Sequence, residues 1–145
     1  MPRKMELESL VSLLTAEHVQ IKNGLAQLRI AVSTRDFAKA SALLQELDRV
    51  FRQHIADEEA QVLRVLIAAY GVQGAEDEIR VFRQHRPIYA LMEKVKGLAS
   101  LRPEELASDQ TKLAELFEEH ASAEENRVFP RALLAHGGSA NKGDH

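Results

Sequence analysis

Apolar residues recur at steps of three and four along almost the whole chain, the spacing of one face of a helix. No segment alternates with the period of two that marks a half-buried strand. A first helix, about 5–32, carries Leu7, Leu10, Leu14, His18, Ile21, Leu25, Leu28 and Val32 on its seam. Ser33-Thr34-Arg35-Asp36 breaks the pattern and supplies N-cap candidates. A second helix, about 36–70, carries Phe37, Ala40, Leu44, Leu47, Phe51, His54, Glu58, Val62 and Val65, with Gly71 suited to its C-cap. A third, about 74–99, carries Ile79, Phe82, His85, Tyr89, Met92 and Val95. A fourth, about 103–136, opens on Pro103 and carries Leu106, Leu113, Phe117, His120, Glu124 and Val128. It stops before Gly137-Gly138, and residues 139–145 read as a polar, disordered tail.

Four long helices with short connections predict an all-α, antiparallel up-down-up-down four-helix bundle over residues 1–138. The histidines provide a geometric check. The midpoint of His18 and His54 is Asp36, that of His54 and His85 falls at Tyr70, and that of His85 and His120 falls beside Arg102. Each midpoint lies at a predicted break, so folding there brings all four imidazoles to one level, about 16 residues or ~25 Å from the nearest turn. Ordinary core packing does not require that coincidence.

Those seams bury charge, and this changes the picture. The chain writes Phe-x-x-His three times, at Phe51–His54, Phe82–His85 and Phe117–His120. Two copies continue to a carboxylate four residues on, giving His54 with Glu58 and His120 with Glu124. Residues i and i+4 share a helix face, so each pair offers an imidazole and a carboxylate to one point. Charged groups in a bundle core are costly unless paired or bound to metal, and two facing carboxylates repel. A pair of cations removes that cost. Imidazole with carboxylate and no sulfur suits iron, manganese or zinc. A single His-x-x-x-Glu is more often a surface ion pair; two on apolar seams, level with His18 and His85, point to ligands. Glu59 and Glu125 follow the paired carboxylates, and Glu17 and Glu119 adjoin histidines. These read as outer partners or solvated groups. His136 and His145 read as incidental, and Phe51, Phe82 and Phe117 as a dry wall for the site.

Composition limits the alternatives. The 145 residues suit one domain, and 45% apolar with 28% charged residues suits a globular one. A net charge of −3 gives no reason to expect a nucleic-acid partner. Absence of cysteine excludes disulfides, thiolate ligands and thiol catalysis. No apolar run follows the basic residues at the start, and none approaches a membrane span, so the expected compartment is the cytoplasm. There is no His-Glu-x-x-His motif and no Gly-rich phosphate loop. The Glu-x-x-His of ferritin-like bundles is also missing, since Thr15, Phe51, Phe82 and Phe117 stand three residues before the four histidines.

The combination of His18, His54-Ile-Ala-Asp-Glu58, His85, and His120-Ala-Ser-Ala-Glu124 followed by Phe129-Pro130 resembles the hemerythrin-like HHE cation-binding domains. That resemblance implies two iron ions, oxo- or hydroxo-bridged, ahead of zinc or manganese. It implies that His18 and His54 hold one iron, His85 and His120 the other, and that Glu58 and Glu124 bridge. The oxygen carriers of the family have a further histidine where this chain has Tyr89, which is here either a packing residue or a ligand beside the metal. Pro87 bears on that choice, because it removes a helical hydrogen bond and crowds the Arg83 carbonyl.

The expected function is binding or reduction of O2, peroxide or nitric oxide, which leaves peroxidase- or catalase-like activity open. The alternative is a metal- or oxygen-responsive sensor or iron-handling module that acts through a partner protein. The apolar stretches Val62–Tyr70 and Val128–Ala135 either close one end of the bundle or make a dimer contact, giving a monomer or a weak homodimer.

Overall fold

The structure, a computed structural model, describes the backbone of residues 2–143 and side chains as far as residue 137. It is all-helical, with no strand among the described residues. Helix α1 (Leu7–Ser33) is the first rod. The second is α2 (Phe37–Asp57), a π-helical turn (Glu58–Val62) and α3 (Leu63–Gly74). The third is α4 (Glu76–Arg83) and α5 (His85–Leu101). The fourth is a 3-10 turn (Pro103–Glu105), α6 (Leu106–Ala123), a second π-helical turn (Glu124–Val128) and α7 (Phe129–Gly143). Helices α1 and α5 each pack against both α2 and α6, which makes a four-helix bundle.

The breaks have local causes. Asp36 caps α2 by accepting the Lys39 N–H at 3.2 Å. The preceding Arg35 adopts a left-handed φ of 59° to reverse the chain. Gly71, at φ 73° and ψ 171°, sits in a region open essentially to glycine alone, and the second rod turns there rather than ending in a simple cap. Pro87 does more than kink the third rod. The Gln84 N–H turns back to the Val81 carbonyl at 3.1 Å, and the rod is divided into α4 and α5. Within α5 the buried seam runs His85, Ile88, Met92 and Val95 at ordinary helical steps, which leaves Tyr89 half-buried at its edge. The fourth rod does not stop at Gly137-Gly138, because α7 is helical to Gly143. Residues 144–145, including His145, lie outside the described residues.

Two apolar clusters fill the bundle. One gathers Ile21 to Ala31 of α1, Ala40 to Ile55 of α2, Ile88 to Val95 of α5 and Leu106 to Ala121 of α6. The other gathers Leu7 to Leu14 with Val62, Leu66, Val81, Phe82, Val128, Phe129 and Ala132. The stretches after Val62 and Val128 therefore pack on each other's cluster at one end of the bundle. Between the two clusters lies a polar layer.

Candidate metal centre

That layer consists of His18, His54, Glu58, His85, His120 and Glu124, each no more than 2% exposed. All four rods contribute, as the coincidence of midpoints requires. Glu58 and Glu124 each open a π-helical turn. A π turn has an extra residue per hydrogen-bonded ring and is found frequently at functional sites. Here it solves a phase problem. His54, Glu58, Val62 and Leu66 are all buried at steps of four, and so are His120, Glu124, Val128 and Ala132. On an ideal α-helix three such steps drift ~120° around the axis. The wider turn absorbs the drift, so the carboxylate and the apolar residues beyond it face the same core. For this reason Leu66, rather than Val65, continues the buried seam.

The six side chains make two overlapping groups. His18, His54, Glu58 and Glu124 form one, and Glu58, His85, His120 and Glu124 form the other, with the ligand atoms of each group within 4.8 Å of one another. Oε1 of Glu58 lies 3.2 Å from Nε2 of His54 and 3.3 Å from Nε2 of His85. Oε1 of Glu124 lies 2.9 Å from Nε2 of His18 and 3.4 Å from Nε2 of His120. Glu124 also lies 3.7 Å from Nε2 of His54, so each carboxylate touches at least one histidine of each group. Several of these atoms have no hydrogen bond despite complete burial: both oxygens of Glu58, Oε2 of Glu124, and Nε2 of His85 and His120. Buried polar atoms without partners are rare and costly. Their convergence on one layer is the arrangement a cation would satisfy.

The far side of every imidazole is also held. Nδ1 of His18 faces Glu125 at 3.3 Å, that of His54 faces Glu17 at 3.0 Å, that of His85 faces Glu59 at 3.1 Å, and that of His120 faces Gln84 at 2.9 Å. A carboxylate or amide oxygen at Nδ1 fixes the proton there and turns the Nε2 lone pair inward. Glu59 and Glu125 thus act as outer partners on neighbouring rods, and Glu17 joins them. Gln84 was not among the expected residues; the residue itself stands next to His85, but it serves His120.

Apolar rings wall the layer. Phe129 stacks on His18 at 5.7 Å, Phe117 meets the same ring edge-on at 5.8 Å, and Phe82 stacks on His85 at 5.4 Å. Phe51 packs against Phe117 and Tyr89 instead. Tyr89 lies between the Phe51 edge and the Arg52 guanidinium, 5.1 Å from its ring, and burial raises its pKa above the ordinary value.

Without metal the layer is electrostatically divided. Burial, followed by the repulsion of His54, drives the His18 pKa down to about 4. Burial, together with the other three histidines, drives His120 down to about 3. Burial also works against a charge on His54, but Glu58 and Glu17 outweigh it and raise that pKa to about 9. Burial opposes ionisation of Glu58 too, yet His54 and His85 hold its carboxyl far below the usual carboxylate range. The neutral imidazoles of His18 and His120 can donate to a cation as they stand, whereas His54, charged beside Glu58, must first release a proton, so metal binding displaces it.

Nothing among the curated proteins or the solved structures matches this chain. The family profile described as hemerythrin HHE cation binding domain matches residues 9–132, which span all four rods and all six residues of the polar layer. The chain therefore belongs to the hemerythrin HHE cation-binding domain family, and its buried His/Glu layer is the candidate cation site.

Proposed function

We propose that the bundle holds two iron ions, with His18 and His54 on one, His85 and His120 on the other, and Glu58 and Glu124 bridging. The observation that carries this reading is that each carboxylate contacts histidines of both pairs. The same reading takes the bundle as antiparallel, up-down-up-down. It is supported by the apolar clusters, each of which joins one rod's C-terminal half to the next rod's N-terminal half. Tyr89 is left out of the ligand set, since its partners are Phe51 and Arg52.

The proposed role is binding or reduction of O2, peroxide or nitric oxide. A ferrous pair would supply the electrons for that chemistry. The chain's own contribution is to orient four imidazoles through their Nδ1 partners, to place two anionic carboxylates between the ions, and to keep water out with Phe82, Phe117 and Phe129. Complete burial of the layer favours reactants of two to four atoms over larger ones.

The test is rapid mixing of the anaerobic ferrous protein with O2, hydrogen peroxide or nitric oxide, followed by absorbance. The proposal expects a change that titrates at two irons per chain and disappears in Glu58→Ala. An iron-loaded protein that is inert to all three would overturn the functional reading.

A further inference from the structure

The segment before α1 contains a side chain whose reach is out of proportion to its place in the sequence. Arg3 donates its backbone N–H and its Nε–H to the two oxygens of Asp57, both at 2.7 Å. Its Nη2 donates to Oε2 of Glu17 at 3.0 Å. The other oxygen of Glu17 accepts from Nδ1 of His54. Gln61, within the first π-helical turn, donates its side-chain amide to the Arg3 carbonyl. Arg3 therefore ties α1 to the end of α2 and to the turn that presents Glu58.

The charges favour this clasp. Asp57 is fully buried and Glu17 nearly so, and Arg3 is the cation that both contact. Asp57 is also the residue immediately before Glu58. An arginine can serve both carboxylates because its planar fork presents several donors in fixed directions, a geometry that lysine lacks.

We infer that Arg3 is a positioning residue for the His18/His54 side of the metal centre, acting through Glu17 on His54 and through Asp57 on the start of the Glu58 turn. The inference rests on the two-ion reading above. It gives the two sides of the centre different supports, because no comparable arginine contacts Glu59 or Gln84, the partners of His85 and His120, in the hydrogen bonds and ion pairs described.

The test is chelator-driven release from protein loaded with cobalt(II), followed by absorbance, in wild type, Arg3→Gln and Arg3→Lys. In Arg3→Gln one of the two ions should leave several-fold faster, short of the about 10–100-fold that follows loss of a ligand's own outer partner because Glu17 remains, while the other keeps its wild-type rate. Arg3→Lys should recover part of the loss, since the charge returns without the fork. A general loosening of the fold would accelerate both ions together, and that result would overturn the inference. So would two unchanged rates. Fewer than two ions in the wild type would instead overturn the two-ion reading, and this inference with it.

Discussion

Acid should unfold the metal-free protein through two particular histidines. In the unfolded chain His18 and His120 take up protons near the ordinary value of 6.5, but in the folded chain they do so only near 4 and 3. Between those limits the unfolded state binds more protons, so the stability these two histidines contribute is full above 6.5 and falls as the pH falls. At 1.36 kcal/mol per pKa unit, the His18 shift is worth about 3 kcal/mol and that of His120 about 5 kcal/mol. The two do not simply add, because the His120 shift includes repulsion from His18, but either alone is a sizeable part of the stability of an ordinary domain. The slope should steepen toward about 3 kcal/mol per pH unit, the limit for two protons. His54 has the opposite sign: its contribution is complete below 6.5 and is lost as the pH rises through about 9. Below the ordinary carboxylate value of 4.5, protonation of Glu58 and Glu17 adds a further loss. The assay is urea unfolding of the metal-free protein by circular dichroism at half-unit steps from pH 7 to 4.5. His120→Gln should reduce the slope toward that of one proton. A stability that is flat or rises as the pH falls across this window would refute the reasoning.

The other predictions concern single side chains. Glu58→Ala and Glu124→Ala should both lose metal; Glu58→Ala should also destabilise the metal-free bundle by about 3–5 kcal/mol, because it strips the charged His54 of its buried partner, and Glu124→Ala by about 1–3 kcal/mol, because it removes a buried hydrogen-bond partner of His18; retention of two irons by either variant, read by elemental analysis, would contradict the bridging assignment. Phe117→Ala should cost about 3–5 kcal/mol in denaturant unfolding, since the ring is buried against both His18 and Phe51. Gly71→Ala should cost about 1–3 kcal/mol in the same assay, although an added Cβ meets no atom within 4 Å, because the cost lies in the backbone conformation alone.

Much of the centre could be read from spacing, and the remainder failed for identifiable reasons. Equal distances between histidines and chain breaks located the polar layer, because helical rise is constant. The π-helical turns were harder to see, since no glycine or proline lies within them. Their signal is the run of four-residue steps, His54–Glu58–Val62–Leu66 and His120–Glu124–Val128–Ala132, which an ideal helix cannot keep on one face. Ideal periodicity instead continues the second seam to Val65. The tetrapeptide Phe-Arg-Gln-His occurs twice, at 51–54 and 82–85, yet its glutamines do different work. Gln53, in the unbroken α2, reaches Asp57 at 3.3 Å, whereas Gln84, at the break before Pro87, reaches His120. Nothing local distinguishes them; the distant proline and the opposing rod do. Arg3 has no periodic signal at all, because it lies outside every helix.

Metal content and the visible spectrum of aerobically purified protein test the central claim most directly. Two irons per chain, with the near-ultraviolet and visible bands of a bridged ferric pair, are the predicted result. Zinc alone in a protein that cannot be loaded with iron, or no metal uptake, would contradict it.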